Sequence, residues 1–247
     1  EVMEALGGFA GVSAVSDDLP YGKPELAMRL TPRGAALGFT LDGVARQIRG
    51  AFAHYLSPDL VEQLAESPER LKLGGETKTL PFLFCDVRGF TTISESFKGN
   101  PQGLTVLINR FLTPLTDCIL ARRGTIDKYM GDCIMAFWNA PLDDKYHAYN
   151  ACLSALEMNY VLGPVNNALE KRIRDRGHKP FLLKAGIGIS TGPCAVGNMG
   201  SKDRFAYSAL GDSVNMSSRL EGLTKTYYLP ILIDNATFQK VPDLATL

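Results

Sequence analysis

The sequence has no excess of charge of either sign, since its 247 residues include 26 Lys and Arg against 26 Asp and Glu. Net charge therefore does not predict binding to nucleic acid or to an anionic membrane. The sequence also has no uninterrupted apolar run of about 18 residues and no recognisable signal peptide. We expect that the chain as given does not span a membrane and that any phosphate binding is local.

Cysteine and histidine patterns that hold metals are missing too. The five cysteines show no C-x-x-C spacing and lie mostly in apolar runs, and there are only three scattered histidines. This arrangement predicts reduced core cysteines in a cytosolic protein rather than disulfides or zinc ligands. A histidine-based metal site is not expected.

Two isolated aspartates lie next to apolar runs. Asp86 interrupts the run that starts at Phe82, and Asp132 directly precedes Cys133-Ile-Met-Ala-Phe; each has a glycine close by. A carboxylate in an apolar strand is costly to bury unless a cation or hydrogen-bond donors surround it, so together they indicate one shared metal site. Taken singly, Asp86 is explained as a helix cap and Asp132 as part of a plain hairpin turn.

The segment after Asp86, Val87-Arg-Gly-Phe-Thr-Thr, is predicted to connect a strand to a helix. Backbone N–H groups and the positive helix end favour a phosphate at such a junction, although strands often meet helices in this way without binding one. Combined with a second carboxylate on a neighbouring strand, the junction is typical of two-metal nucleotidyl transfer.

A second group of polar residues is predicted on a later helix with Asp212 as its N-cap. Asn215 and Arg219 are four residues apart and therefore share one helix face. An amide and a guanidinium on one face can hold a sugar and a phosphoryl oxygen. The alternative is an ordinary solvated polar face.

The chain is predicted to have three segments: an irregular segment at 1–45, a helical segment at 46–77 and a main domain at 78–247. In the main domain, hydrophobic periodicity predicts strands and helices in alternating order. The predicted strands are 80–86, 133–138, 181–189 and 230–233, and the predicted helices are 102–122, 145–175 and 212–227. Two earlier helices are predicted at 44–55 and 57–65. This order predicts an α/β or α+β fold in which one sheet carries helices on one face.

Three motifs together resemble the catalytic domains of class III nucleotide cyclases. They are Phe84-Cys-Asp86-Val-Arg-Gly-Phe-Thr, Asp127-Lys-Tyr-Met-Gly-Asp132 and Leu210-Gly-Asp-Ser-Val-Asn215-Met-Ser-Ser-Arg219. They occur in the family's order, and the resemblance covers roughly residues 78–240. It implies an α+β fold with a palm-type, ferredoxin-like sheet on which helices pack. Residues 50–62 are similar, less specifically, to the helical segment that precedes many bacterial adenylate cyclase domains. We therefore read 1–45 as a remnant of a sensor or linker and 46–77 as a transducer segment.

The resemblance also implies roles for individual residues. Asp86, Asp132 and the backbone carbonyl of Val87 would hold two Mg²⁺ or Mn²⁺ ions per site. Asn215 would orient the ribose and Arg219 would stabilise charge on the α-phosphoryl group, which makes both catalytic. The implied phosphate-binding residues are Arg88, Gly89, Phe90, Thr91 and, with a solvated loop charge as its alternative, Arg204.

Two further residues are implied to read the base. Lys128 matches the lysine typical of adenylate cyclases, where guanylate cyclases usually carry Glu, and it favours ATP because it donates to the N1 acceptor of adenine. Ser208 departs from the usual Asp or Thr, and a hydroxyl can donate or accept. The hydroxyl variant resembles the bicarbonate-responsive branch, so stimulation by bicarbonate is a hypothesis.

In this family the metal aspartates come from one subunit and the base-reading, Asn and Arg positions from its partner. One chain with both halves therefore implies a homodimer with two equivalent sites that converts ATP to cyclic AMP and pyrophosphate.

The resemblance also implies that the catalytic domain lies in the cytoplasm. Whether the parent protein has an upstream membrane sensor stays open. The family's triphosphate-binding lysine is expected in a hairpin beyond Leu247. A guanylate cyclase, a catalytically degenerate dimerisation module and a palm-type diguanylate cyclase are the alternatives, the last disfavoured by the missing Gly-Gly-Asp/Glu-Glu-Phe signature.

Overall fold

The computed structural model describes residues 74–175, 181–200 and 205–244. The helices predicted at 44–55 and 57–65 lie outside these ranges, as does Arg204. The chain divides into two compact units, which are Glu1–Gly75 with Gly197–Ser208, and Glu76–Val196 with Ala209–Leu247. We call the second of these the larger unit. The boundaries predicted at 45 and 77 remain predictions.

The described residues form strands and helices in mixed order. The strands are β1 (Gly74–Val87), β2 (Thr125–Met130), β3 (Cys133–Phe137), β4 (Ala185–Gly200), β5 (Phe205–Leu210) and β6 (Ile231–Ile233). The helices are α1 (Phe90–Ser96), α2 (Pro101–Ala121), α3 (His147–Asp175), α4 (Asp212–Tyr227) and α5 (Asn235–Phe238). The strands form one sheet in the order β2-β3-β1-β4-β5, and β6 pairs with β4. The sheet is mixed, because β3 runs antiparallel to β1 and β2 whereas β6 runs parallel to β4. The α+β prediction is confirmed.

Helix α2 shows how the sequence places a helix on this sheet. The Asn100 side chain caps its start by accepting a hydrogen bond of 2.9 Å from the Gly103 N–H, and Pro101 occupies the first turn. By length and composition α2 could cross a membrane. Its apolar residues at a spacing of four instead belong to the hydrophobic core. These residues are Leu107, Phe111, Leu115 and Ile119.

Helix α4 lies on the opposite face of the sheet from α2 and α3. Ile187 and Ile189 of β4 belong to the core that α2 and α3 cover. Their neighbours Gly186 and Gly188 point to the other face, where a Cβ on Gly188 would lie only 2.2 Å from the Ser217 carbonyl oxygen of α4. The prediction of helices on one face therefore holds for α2 and α3 but not for α4. Glycines give no hydrophobic signal of a second covered face.

The structure also corrects the predicted boundaries. The strand predicted at 181–189 begins at Ala185 and continues to Gly200, and neither β2 nor β5 had a predicted span of its own. Asp212 is the first residue of α4 and Gly211 its N-cap, so the prediction of Asp212 as the cap is wrong. Gly211 fits there because a Cβ would lie 2.6 Å from the sulfur of Cys194.

Candidate active site

Asp86 and Asp132 are brought together by the pairing of β1 with β3. Cys85 lies opposite Ile134 in this pairing, so the end of β1 adjoins the start of β3. Asp132 is the second residue of the two-residue turn between β2 and β3, where Gly131 has a φ of 67° that favours glycine. The Asp132 carboxylate accepts a hydrogen bond of 3.3 Å from the Val87 N–H. The structure thus joins the two aspartates, which are distant in sequence.

The two carboxyl groups interact strongly. Partial burial, a hydrogen bond with Asp86 and the charge of Asp86 together raise the pKa of Asp132 from 3.8 to about 6. Burial is also the main cause that raises the pKa of the Cys133 thiol to about 12, with the charges of Asp86, Glu221 and Asp132 contributing. The ammonium of Lys225 lies 3.7 Å from Asp86 Oδ2. The site therefore concentrates negative charge that a cation would relieve.

The oxygen donors at this site fit Mg²⁺ or Mn²⁺. The predicted ligands, two carboxylates and the Val87 carbonyl, are hard oxygen donors, which these ions prefer. Within the described ranges, no group of three or more His, Cys, Asp or Glu side chains is arranged to hold a metal. Proteins often hold Mg²⁺ through one or two carboxylates together with substrate phosphates, and Asp86 with Asp132 offers such a carboxylate pair.

The predicted phosphate-binding turn follows β1 directly. Gly89 has a φ of 68° and forms the N-cap of α1, whose first turn contains Phe90 and Thr91. Helix N-termini leave backbone N–H groups without partners in the helix, as phosphate binding requires. The N–H of Arg88 donates instead to the Lys184 carbonyl at 2.7 Å. The Arg88 guanidinium donates to the Leu229 carbonyl at 3.2 Å, so in this structure Arg88 binds protein groups.

Asn215 and Arg219 lie on the exposed face of α4. The same helix presents Glu221 and Lys225 on another face, where Lys225 contacts Asp86. Asn215 and Arg219 therefore lie on a different side of α4 from Lys225, which reaches Asp86 of the same chain. The structure places this predicted pair away from the contact with Asp86.

The base-reading residues lie on two strands. The pairing of β2 with β3 shifts register between Ile126 and Lys128, which makes Asp127 the extra residue of a bulge. The side chain of Lys128 is 50% exposed and lies 3.7 Å from the buried Asp127 carboxylate. Ser208 is almost fully buried on β5 and belongs to the other unit.

Sequence reasoning missed Lys225, Glu221 and Gly186. Lys225 pairs with Asp86, and a Cβ on Gly186 would lie 2.7 Å from the Glu221 carboxylate oxygen. The spacing of four between Glu221 and Lys225 was available in the sequence as a possible helical ion pair. Nothing in the sequence indicated that this pair meets the end of β1.

Residues 75–237 match the family model described as adenylate and guanylate cyclase catalytic domain. The chain belongs to the class III nucleotide cyclases. The match covers more than half of the chain and confirms the family that the three motifs indicated. It also spans every predicted site residue.

Two curated relatives of this cyclase are bacterial adenylate cyclases. It is 34% identical to adenylate cyclase 1 of Rhizobium meliloti over 83% of the chain, and 31% identical to an adenylate cyclase of Anabaena cylindrica over 82%. The matched parts are 30% and 37% of those proteins. The chain thus spans about a third of the length of these two relatives.

Solved cyclase structures share its fold. The guanylyl cyclase Cya2 superposes with a TM-score of 0.61 at 32% identity, covering 71% of this chain and 84% of that one. The adenylyl cyclase CyaB from P. aeruginosa gives the same TM-score and identity, covering 70% and 85%. Two enzymes that are named for different nucleotides are therefore equally similar to this chain.

Proposed function

We propose that this cyclase converts ATP to 3′,5′-cyclic AMP and pyrophosphate at two equivalent sites of a homodimer. The observation that carries the proposal is the pair of interacting carboxyls, Asp86 and Asp132, at the meeting of β1 and β3. Family membership makes nucleotide cyclisation the reaction class. The nucleotide, the metal requirement and the dimer are the parts that we propose.

Asp86, Asp132 and the Val87 carbonyl would hold the divalent cations. Bound there, Mg²⁺ or Mn²⁺ would lower the pKa of the ribose 3′-hydroxyl and neutralise charge on the triphosphate. Val87 contributes further by donating its N–H to Asp132, which fixes the orientation of that carboxylate. The turn from Gly89 into α1 would bind the β- and γ-phosphates through backbone N–H groups.

Asn215 and Arg219 would act on the nucleotide held by a partner chain. Asn215 would orient the ribose for in-line attack of the 3′-oxygen on the α-phosphorus, and Arg219 would stabilise the charge that develops on the α-phosphoryl group. Both side chains are exposed on α4, which supports their contact with a nucleotide bound to the partner chain. Pyrophosphate leaves as the new bond to the 3′-oxygen forms.

Lys128 and Ser208 would select the base. The half-exposed Lys128 ammonium can donate to N1 of adenine but would face the N1–H donor of guanine. We therefore expect a preference for ATP, with a guanylate cyclase as the second candidate because Cya2 is equally similar. The double change Lys128→Glu with Ser208→Cys should shift the preference toward GTP. An unchanged ATP-to-GTP ratio of kcat/KM would contradict this base assignment.

The deciding experiment incubates the purified chain with ATP or GTP and Mn²⁺ and identifies the cyclic product by chromatography. We expect cyclic AMP from ATP, and a loss of at least about 100-fold in kcat for Asp86→Ala. The Lys171→Gln variant, which changes an exposed charge on α3, serves as the control with full activity. Activity that survives Asp86→Ala would defeat the metal assignment, and absence of any cyclic product would favour the degenerate dimerisation module.

The location and regulation of the enzyme belong to the same proposal. We propose a cytoplasmic catalytic domain that an upstream sensor controls, with a membrane sensor as one form of parent protein. Stimulation by bicarbonate stays a hypothesis that rests on the Ser208 hydroxyl. Unchanged turnover after bicarbonate is added at fixed pH would remove it.

A further inference from the structure

The end of α4 contacts the residues on both sides of Val87. Lys225 Nζ lies 3.7 Å from Asp86 Oδ2. Arg88 Nη2 donates a hydrogen bond of 3.2 Å to the carbonyl of Leu229, just beyond the end of α4. Two separate contacts within the larger unit therefore connect the end of β1 with the end of α4.

Charged groups are buried beside these contacts. Glu221 Oε1 and Arg88 Nη1 are shielded from solvent and have no hydrogen-bond partner among the described residues. A Cβ on Gly186 would lie 2.7 Å from Glu221 Oε1 and 2.8 Å from Arg88 Cζ, so the glycine leaves room for both. Lys225 lies four residues after Glu221 on α4 and acts electrostatically on its carboxyl as well as on Asp86. Lys225 is thus a cation that two acidic groups share.

We propose that Lys225 is a positioning residue that serves as the counter-ion of Asp86 until a divalent cation displaces it. The proposal rests on the proposed function, because it takes Asp86 as a metal ligand. An ammonium 3.7 Å from a carboxylate oxygen repels an incoming divalent cation and competes for the same oxygen. The Lys225 side chain is 52% exposed, which allows it to move into solvent when displaced.

Displacement of Lys225 would loosen the end of α4. It would leave the hydrogen bond from Arg88 to the Leu229 carbonyl as the other contact between the end of β1 and the end of α4. The middle of α4 stays packed over Gly188. The effect of metal binding is therefore expected at residues 224–229.

The first test measures Mn²⁺ binding without nucleotide, from the electron paramagnetic resonance signal of free Mn²⁺. Lys225→Gln should tighten Mn²⁺ binding by about three- to tenfold, because a competing, half-exposed charge is removed. Lys225→Arg should stay near wild type. Lys171→Gln removes an exposed charge from α3 and should also bind as wild type. A misfolded variant would bind Mn²⁺ more weakly than the wild type. Tighter Mn²⁺ binding by Lys225→Gln therefore separates the counter-ion role of Lys225 from a merely structural one.

The second test follows hydrogen exchange of the amides at 224–229 with and without Mn²⁺. In the wild type, Mn²⁺ should speed exchange at the end of α4, because the contact with Lys225 is released. In Lys225→Gln the exchange should already be fast and Mn²⁺ should change it little. Equal Mn²⁺ affinity in the wild type, Lys225→Gln and Lys171→Gln would overturn the proposal, as would unchanged exchange in the wild type.

Asp86→Asn separates this inference from the proposed function. If Asp86→Asn abolishes Mn²⁺ binding while Lys225→Gln leaves the affinity unchanged, the counter-ion role fails and the metal site stands. If Asp86→Asn binds Mn²⁺ as the wild type does, the metal assignment itself fails and the counter-ion role fails with it.

Discussion

At the scale of single residues, the behaviour of Asp132 is set by its neighbour Asp86. Partial burial and the adjacent carboxyl raise the pKa of Asp132 to about 6 in the folded chain, from 3.8. A raised folded-state pKa means that the folded protein binds this proton more tightly than the unfolded chain does. The stabilisation of the folded protein by this proton on Asp132 is fully present below about pH 4 and is lost as the pH rises through about 6.

We predict that Asp132→Asn stabilises the metal-free protein at pH 7 and has little effect at pH 4. Asparagine removes the charge but keeps an oxygen that can accept the hydrogen bond of the Val87 N–H. In thermal unfolding with EDTA, the variant should gain about 2–4 °C over the wild type at pH 7. Added Mn²⁺ should raise the Tm of the wild type more than that of the variant. An equal difference in Tm at the two pH values would contradict the prediction.

At the scale of elements, α4 approaches the sheet through glycines of β4. A Cβ on Gly188 would lie 2.2 Å from both the Glu221 nitrogen and the Ser217 oxygen, which are backbone atoms that cannot swing aside. The helix can therefore sit at this distance only over a residue without a side chain. The packing places Lys225 beside Asp86.

We predict that Gly188→Ala destabilises the protein by about 1–3 kcal/mol, because the added methyl group must push α4 away from β4. The matched control is Gly222→Ala in α4, where an added Cβ meets nothing within 4 Å. This control should be neutral or stabilising by up to about 1 kcal/mol, since alanine favours helix. Urea unfolding monitored by circular dichroism measures both changes. Equal stability of the two variants would show that the contact between α4 and β4 is loose.

Sequence reasoning worked best where apolar periodicity was strong. The helix predicted at 102–122 agrees closely with Pro101–Ala121, because its buried apolar residues recur at a spacing of four. The helix predicted at 212–227 also agrees with Asp212–Tyr227, although the residues that it buries are Ser213, Ser217 and Thr224. The glycine-rich part of β4 was predicted poorly. Gly186 and Gly188 contribute no hydrophobic pattern, so only the close approach of α4 reveals their role.

At the scale of the whole molecule, the exposed face of α4 has the features of a contact surface. Met216 and Leu223 are 41% and 42% exposed beside Asn215 and Arg219. Tyr129 and Met130, next to the turn that holds Asp132, are exposed as well. Apolar side chains around polar functional groups are typical of an interface. They support the proposed homodimer, in which each site takes residues from both chains.

Subunit complementation tests this arrangement. Asp86→Asn and Asn215→Ala chains should each be inactive alone, because each damages both sites of its homodimer. Mixed and reassembled in equal amounts, they should recover about a quarter of the wild-type kcat per chain, since half of the dimers are mixed and each has one intact site. The cyclic product measures the recovery.

The control mixes Asp86→Asn with Asp132→Asn chains. Both changes lie in the same half of the site, so neither site of a mixed dimer is intact and no activity should return. Recovery in this control, or none in the first mixture, would contradict a site shared between chains.

The sequence by itself determined the family, the α+β class and the candidate residues of the site. Motif order and hydrophobic periodicity are local properties, and both are written directly in the chain. Only the tertiary structure decided that Asp86 and Asp132 share one electrostatic environment, that α4 covers the second face of the sheet, and that Lys225 faces Asp86. These features depend on strand pairing and on close packing over glycines, which join residues far apart in the chain and leave no periodic signal.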